Sequence, residues 1–80
     1  MIEFFDIVNC GNYITCYIVC DGDYEHKYFF KISIEGEYAE VIETDMPEDE
    51  FIWIRQTLVA VDLHLRGKDP MPEKFTTFWY

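Results

Sequence analysis

Apolar and polar residues alternate along most of the first half of the chain, which is the pattern of β-strands whose two faces differ. Between positions 13 and 20, for example, Ile14, Cys16 and Ile18 alternate with other side chains. Stretches rich in Asn, Asp and Gly, which tolerate the backbone angles of tight turns, lie between the alternating segments. The pattern predicts strands at residues 2–8, 13–20, 26–34 and 37–43.

A Glu-Gly dipeptide at 35–36 predicts a two-residue turn between the third and fourth strands. Such a turn fixes the register, because the pairing of a hairpin follows from its loop length. It would place Ile32 opposite Ala39 on the core side. It would place Lys31 opposite Glu40 on the outer side, where opposite charges contribute about 0.2–1 kcal/mol.

Helical spacing replaces the alternation after residue 45, where apolar residues recur three and four positions apart. Asp45 is the predicted N-cap, with Glu48 at the capping-box position and Pro47 in the first turn. The helix is predicted to end near Gly67. The apolar stripe is Phe51, Ile54, Leu58, Val61 and Leu65, and it is widened by Ile52, Val59 and Leu63.

The widened stripe predicts a helix that is covered on more than one side. After it, residues 74–80 are rich in aromatic residues and threonine and predict a closing strand. The order β-β-β-β-α-β then predicts an α+β fold, in which an antiparallel sheet of four to five strands carries one long helix on one face. We expect a single domain over residues 1–80, and the sheet edge that the last strand joins stays open.

Composition shows where the charge must lie. The 80 residues are 50% hydrophobic and 19% aromatic, yet the formal net charge is -10. A disordered acidic chain lacks so much apolar material, so the acidity is expected on the surface of a folded body. Phosphate groups would be repelled, which argues against direct binding of nucleic acid or of an anionic membrane and favours a basic protein partner.

The sequence offers little to catalysis or to metal binding. Cys16 and Cys20 fall on the apolar face of the second strand and are interpreted as core residues, whereas Cys10 lies in a turn. The spacing of the cysteines from His26 and His64 does not match a zinc motif. We therefore predict a non-enzymatic protein without metal or cofactor. Without an export signal or an apolar run of roughly 20 residues, it is expected in the cytoplasm.

The feature that stands out is an acidic stretch at residues 33–54, which contains no lysine or arginine. Carboxylates fixed on strands and helices can imitate phosphates and occupy the basic side chains of a nucleic-acid-binding protein. A solvated face that keeps the protein in solution is the alternative. The predicted partner-binding residues are Glu35, Glu37, Glu40, Glu43, Asp45, Glu48, Asp49 and Glu50.

Local roles divide this group. The three carboxylates at 48–50 also suit the positive end of the helix dipole, and Glu40 is expected opposite Lys31. Glu35, Glu37 and Glu43 have no such local role and therefore support the binding hypothesis most strongly.

The outer face of the sheet is predicted to be aromatic, which is typical of an interface with a partner or with a second copy. The C-terminal segment is the other candidate to cover it. The predicted outer-face residues are Phe4, Val8, Tyr13, Tyr17, Phe29 and Tyr38, with Tyr13, Tyr17, Phe29 and Tyr38 as the interface group.

These features together predict a small acidic inhibitor or binding protein that occupies the basic, nucleic-acid-handling surface of a partner. A DNA-mimic-like anti-defence factor of a phage, such as an anti-CRISPR or anti-restriction protein, fits that class. The alternatives are an immunity protein that neutralises a nuclease toxin and a self-associating structural domain, a homodimer, that uses the aromatic sheet face.

Overall fold

A computed structural model describes residues 1–78, so the last two residues of the predicted closing strand, Trp79 and Tyr80, lie outside the described residues. The strands are β1 (Ile2–Asn9), β2 (Tyr13–Cys20), β3 (Tyr28–Ser33), β4 (Glu40–Thr44) and β5 (Phe75–Thr77). They form one antiparallel sheet in the order β4-β3-β2-β1-β5. A 3-10 turn (Glu48–Glu50), the helix α1 (Phe51–Ala60) and a π-helical turn (Val61–Leu65) follow β4. The predicted α+β fold is confirmed. β5 pairs with β1 and forms the second edge of the sheet.

The core lies between the sheet and the helical segment. Ile14, Cys16 and Ile18 of β2 are almost completely buried, as their alternation predicts, and Val61 and Leu65 cover them from the helical side. Burying one large aliphatic side chain stabilises the fold by about 1.5–3 kcal/mol. The core therefore joins both layers and fixes how the helix sits on the sheet.

A β-bulge in β1 overturns one predicted orientation. Phe4 was expected on the outer face, but it is 1% exposed and packs in the core. Asp6 has a φ of 51°, and Asp6 and Ile7 together face Cys16 alone, because the register shifts by one residue at this point. A bulge of this kind reverses the alternation of the strand. Phe5, opposite Tyr17, therefore takes the outer position predicted for Phe4.

The predicted two-residue turn between β3 and β4 is also wrong. The two strands are joined by the longer connection 34–39, and Ile32 pairs with Val41 rather than with Ala39. Lys31 pairs with Glu43 rather than with Glu40, which lies opposite Ser33. The acidic residue across from the lysine is thus a different one, and the local roles predicted for these two glutamates are exchanged.

Two side chains of the helical segment hold this connection in place of a tight turn. The carboxylate of Asp62 accepts the backbone N–H of Ala39, at 3.0 Å from each oxygen. The guanidinium of Arg66 donates to the carbonyls of Glu37 and Ile34, at 2.7 and 3.1 Å. Because the connection can satisfy its backbone groups in this way, it does not need the hydrogen bond of a two-residue hairpin.

The helix starts differently from the prediction. Asp45 does not cap it, since its Oδ1 accepts the backbone N–H of Phe29 at 2.9 Å. The chain enters α1 through the 3-10 turn without a side-chain cap, and Phe51 is 65% exposed instead of buried. The predicted end is confirmed, because Gly67 has a φ of 82°, which suits the residue that follows a helix.

The outward surface of the helical segment is not covered by residues 1–78. Ile52, Val59 and Leu63 are 59%, 41% and 71% exposed, so the prediction that they are covered is wrong. Within residues 1–78, no helix is both long enough and apolar enough to cross a membrane.

Candidate partner-binding surface

The eight predicted binding carboxylates lie on the edge strand β4 or on the chain segments before and after it. β4 is an outermost strand, and all eight side chains are exposed on this strand or on the segments next to its two ends. Five residues of strand span roughly 17 Å. We call this set the acidic edge, and its members are Glu35, Glu37, Glu40, Glu43, Asp45, Glu48, Asp49 and Glu50.

No carboxylate of the acidic edge forms an ion pair with another residue in the range 1–78. The ion pairs there join the Met1 ammonium to Asp21, His26 to Asp23 and Arg66 to Asp62. All three acidic partners lie outside the edge. Within the described residues, the negative charge of the edge is therefore not neutralised by direct ion pairs.

The members of the edge differ in their neighbours. Glu35 Oε2 accepts a hydrogen bond from Asn12 Nδ2 at 3.3 Å, and Glu43 lies opposite Lys31. The side chains of Glu37 and Glu40 form no hydrogen bond or ion pair with residues 1–78. The sequence singled out Glu35, Glu37 and Glu43 as residues without a local role. In the structure, Glu40 replaces Glu43 in this group, because Glu43 and not Glu40 lies opposite Lys31.

Hydrogen bonds hold both ends of the edge. At one end, Arg66 Nη1 donates to Asp62 Oδ1 at 2.7 Å, and this half-buried pair binds the connection 34–39. At the other end, Thr44 Oγ1 donates to the carbonyl of Phe29 at 2.7 Å and accepts the N–H of Met46 at 3.1 Å. Sequence reasoning missed these residues, although the four-residue spacing of Asp62 and Arg66 is typical of a helical ion pair.

Two structural roles explain part of the acidity. Charged side chains on an edge strand oppose pairing with another chain, which accounts for Glu40 and Glu43. Negative charge is also favourable at the start of a helix, which accounts for residues 48–50. Neither role applies to Glu35 and Glu37, because they lie in a connection that has no free ladder and no helix start.

The aromatic outer face has its own cover. Tyr17 and Phe29 meet edge to face, with ring centroids 5.6 Å apart. Lys27 Nζ and Lys74 Nζ lie 5.1 and 5.9 Å from the ring centroid of Phe5. Lysine stems can cover apolar surface while their ammonium groups stay in water. The face is thus partly shielded by cations of the same chain.

The remaining predicted interface residues divide between this face and the acidic edge. Tyr13 belongs to the face, and Lys31 Nζ lies 4.6 Å from its ring centroid. Tyr38 does not, because it lies in the connection 34–39 and is 69% exposed beside the acidic residues. The aromatic outer face is hereafter Phe5, Tyr13, Tyr17 and Phe29 with Lys27, Lys31 and Lys74.

A cavity of about 260 Å³ lies where the 3-10 turn and the start of the helix approach the β2–β3 connection. His26 Nδ1 lies 2.8 Å from Asp23 Oδ2 within it. No sequence pattern marked this place, because its walls come from two stretches that are distant along the chain, 20–28 and 46–53. The residues that line it are Cys20, Asp21, Asp23, His26, Tyr28, Met46, Glu50 and Trp53.

A histidine, an aspartate and a cysteine in one cavity suggest nucleophilic catalysis, but the electrostatics oppose it. Burial, followed by the charges of Asp21 and Glu50, raises the pKa of the Cys20 thiol to about 11. A nucleophilic cysteine needs a lowered pKa, because the thiolate is the reactive form. Burial alone raises the pKa of Cys16 to about 12, in keeping with its place in the core.

Metal binding has little support in the same region. Among residues 1–78, no three His, Cys, Asp or Glu side chains are arranged to hold a metal ion.

Comparison of the chain with family models, curated proteins and solved structures finds no match.

Proposed function

We propose that this protein binds a partner protein through the acidic edge and occupies the basic surface with which the partner handles nucleic acid. The observation that supports this most is the row of eight exposed carboxylates without an ion pair in residues 1–78. Each end of the row is held by hydrogen bonds to the body of the protein. A backbone that is already held in place loses little loop freedom when the surface binds a partner.

The proposed mechanism is competition. Lysine and arginine side chains that would grip a phosphate backbone bind the carboxylates of the edge instead. Long-range attraction would speed the encounter, and added salt would weaken it. No chemical step is involved, so the protein acts as a stoichiometric inhibitor.

An anti-defence factor that imitates DNA, of the anti-CRISPR or anti-restriction kind, is the biological role that we propose for this mechanism. An immunity protein would use the same edge, because a nuclease toxin also presents a basic nucleic-acid site. The identity of the captured partner separates the two roles.

The experiment is capture of partners from host lysate by the immobilised chain, with duplex DNA as competitor. We expect the wild-type chain to retain nucleic-acid-binding proteins and DNA to release them. The triple variant Glu35→Gln, Glu37→Gln, Glu40→Gln should lose this capture. A control triple variant on exposed residues outside the edge, Glu25→Gln, Asp69→Asn and Glu73→Gln, has the same net charge and should keep it.

Two results would contradict the proposal. One is capture of the same proteins by the edge triple variant and by the wild-type chain. The other is capture that duplex DNA does not reduce.

Self-association is a second candidate, and the exposed residues Ile52, Val59 and Leu63 favour it. Their spacing of seven and four places them on one side of the helical segment. The interface would then be the helix and not the aromatic sheet face predicted from sequence. Light scattering tests this: a dimer that persists in high salt and dissociates in Leu63→Glu would support it, whereas a monomer at all concentrations would contradict it.

A further inference from the structure

The cavity beside the acidic edge combines ring walls with carboxylates. Tyr28, His26 and Trp53 line it together with Asp21, Asp23 and Glu50. The rings of His26 and Tyr28 are nearly parallel, with an interplanar angle of 14° and centroids 6.5 Å apart. Glu50 belongs to both surfaces, so the cavity is continuous with the acidic edge.

The three carboxylates of the cavity are not equivalent. Asp21 binds the Met1 ammonium at 2.8 Å, and Asp23 lies 2.8 Å from His26. Glu50 has no hydrogen bond or ion pair through its side chain to residues 1–78. The cavity therefore contains one carboxylate that is available to a new cation, next to two that already have partners.

Two groups in the wall report the local potential. The pKa of Tyr28 is raised by burial and then by the charge of Glu50, and the pKa of Cys20 is raised by burial and then by Asp21 and Glu50. These groups are on different strands. The burial part of both shifts disfavours charge of either sign, whereas the part caused by neighbouring carboxylates favours a positive charge beside them.

Aromatic faces and an available carboxylate together suit one kind of cation best. A guanidinium is planar, stacks on rings and binds a carboxylate with two parallel hydrogen bonds, whereas an ammonium is a compact and strongly hydrated charge. The volume, about 260 Å³, is below the roughly 300–1,000 Å³ of sites for drug-sized ligands. It is of the size that a single side chain fills.

We propose that this cavity binds the guanidinium group of one arginine side chain of the basic partner, with Glu50 as its counter-ion and Tyr28 as its stacking face. This inference rests on the proposed function, because it assigns an anchor to the same interface. Interfaces commonly depend on a few such anchors, and arginine is enriched among them.

The test is a titration of the isotope-labelled full chain with N-acetyl-arginine amide, followed by the NMR signals of the Trp53 indole and of the Glu50 amide. We expect saturable shifts with a dissociation constant of roughly 1–10 mM, as for a single side chain. N-acetyl-citrulline amide has nearly the same shape without the charge and should give no saturable shift. N-acetyl-lysine amide should bind more weakly than the arginine compound.

Matched variants locate the site. Glu50→Gln should weaken binding of the arginine compound by about three- to fivefold. Glu73→Gln removes the same charge at an exposed residue outside both the cavity lining and the acidic edge, and it should change binding by less than about 1.5-fold. Tyr28→Leu should weaken binding by about two- to fivefold, because it removes a stacking face and keeps apolar bulk.

The proposal is overturned if the arginine compound gives no saturable shift, if citrulline or lysine binds equally well, or if the two glutamate variants respond alike. Its failure is distinguishable from failure of the proposed function. If partner capture depends on Glu35, Glu37 and Glu40 but the arginine compound does not bind, the proposed function is supported and the arginine site is refuted. If the arginine compound binds but partner capture does not depend on these residues, the arginine site is supported and the proposed function of the acidic edge is refuted.

Discussion

The acidic edge and the aromatic outer face belong to the same sheet, but they differ in whether their charged side chains have partners within the chain. On the face, Lys27, Lys31 and Lys74 lie over aromatic rings of their own chain. Along the edge, no carboxylate has an ion pair in residues 1–78. Since the chain has only six Lys and Arg, this use of three on the face leaves few for the edge.

This difference favours the acidic edge over the aromatic outer face as the surface for the proposed partner binding. The aromatic outer face is partly shielded by lysines of its own chain, which lie over its rings. The edge carries eight carboxylates, none of which is in an ion pair with residues 1–78. Arg66, the basic residue nearest to the connection 34–39 by its hydrogen bonds, binds backbone carbonyls and Asp62 instead of an edge side chain.

The largest effect is expected for Arg66→Ala, which removes the hydrogen bonds that hold the connection 34–39 at one end of the acidic edge. We expect a loss of about 2–3 kcal/mol in the free energy of unfolding, because hydrogen bonds to two carbonyls and a half-buried carboxylate disappear. Urea denaturation measures this loss, and hydrogen exchange should show faster exchange of the amides at 34–39. Arg55→Ala, an exposed arginine of the same helix, is the control and should change stability by less than about 0.5 kcal/mol. Equal losses in both variants would contradict the account.

The thiol beside the edge gives a pH-dependent effect. Because the pKa of Cys20 is raised in the folded protein from 9.0 to about 11, the folded state retains a proton that the unfolded state releases. Its contribution to stability is complete below pH 9 and is lost as the pH rises towards 11. After allowance for the half-exposed site, the loss should be about 1 kcal/mol. Cys20→Ala should remove this part of the pH dependence, and the control Cys10→Ala should not. Denaturation from pH 8 to 11 measures the free energy of unfolding of both variants and of the wild type. Identical pH profiles for all three proteins would contradict the assignment of the effect to Cys20.

A smaller effect concerns the lysines of the aromatic outer face. Phe5→Leu keeps an apolar side chain but removes the ring under Lys27 and Lys74, and it should cost about 0.5–1 kcal/mol. Phe51→Leu is the control, because Phe51 is 65% exposed and no lysine of residues 1–78 lies over its ring. Thermal unfolding compares the two. If Phe5→Leu costs no more than the control, the lysines do not cover the face in solution.

The smallest expected change has the opposite sign. The triple variant Glu35→Gln, Glu37→Gln, Glu40→Gln should be more stable than the wild type by up to about 0.5 kcal/mol at low salt, because repulsion among edge carboxylates decreases. The gain should disappear at high salt. Denaturation at two salt concentrations measures it. A loss of stability would mean that these carboxylates stabilise the fold and do not repel each other.

Local sequence signals anticipated the elements, whereas distant contacts decided how they are joined. The alternation in β2 and the glycine after the helix were sufficient to place those elements. The β3–β4 register could not be obtained in this way, because Asp62 and Arg66 hold the connection from more than twenty residues away. The bulge at Asp6 likewise reversed the position of Phe4 without a signal in the alternation.

The candidate site shows the same division. Exposed carboxylates were predicted from residue type alone. Their arrangement along a free edge depends on β5 joining β1, which no local pattern decides. The cavity was missed for the same reason, since Glu50 and Trp53 meet His26 only when the helix is docked on the sheet.

The most direct test of the central claim is the affinity for the captured partner as a function of salt, by calorimetry, for the wild type, the edge triple variant and the control triple variant at Glu25, Asp69 and Glu73. We expect the edge triple variant to bind the partner about tenfold or more weakly than the wild type at low salt, and its affinity to depend less on salt. The control should stay within about twofold of the wild type, because its substitutions lie outside the interface. Equal affinities and equal salt dependence for the two triple variants would contradict the claim that the acidic edge is the binding surface.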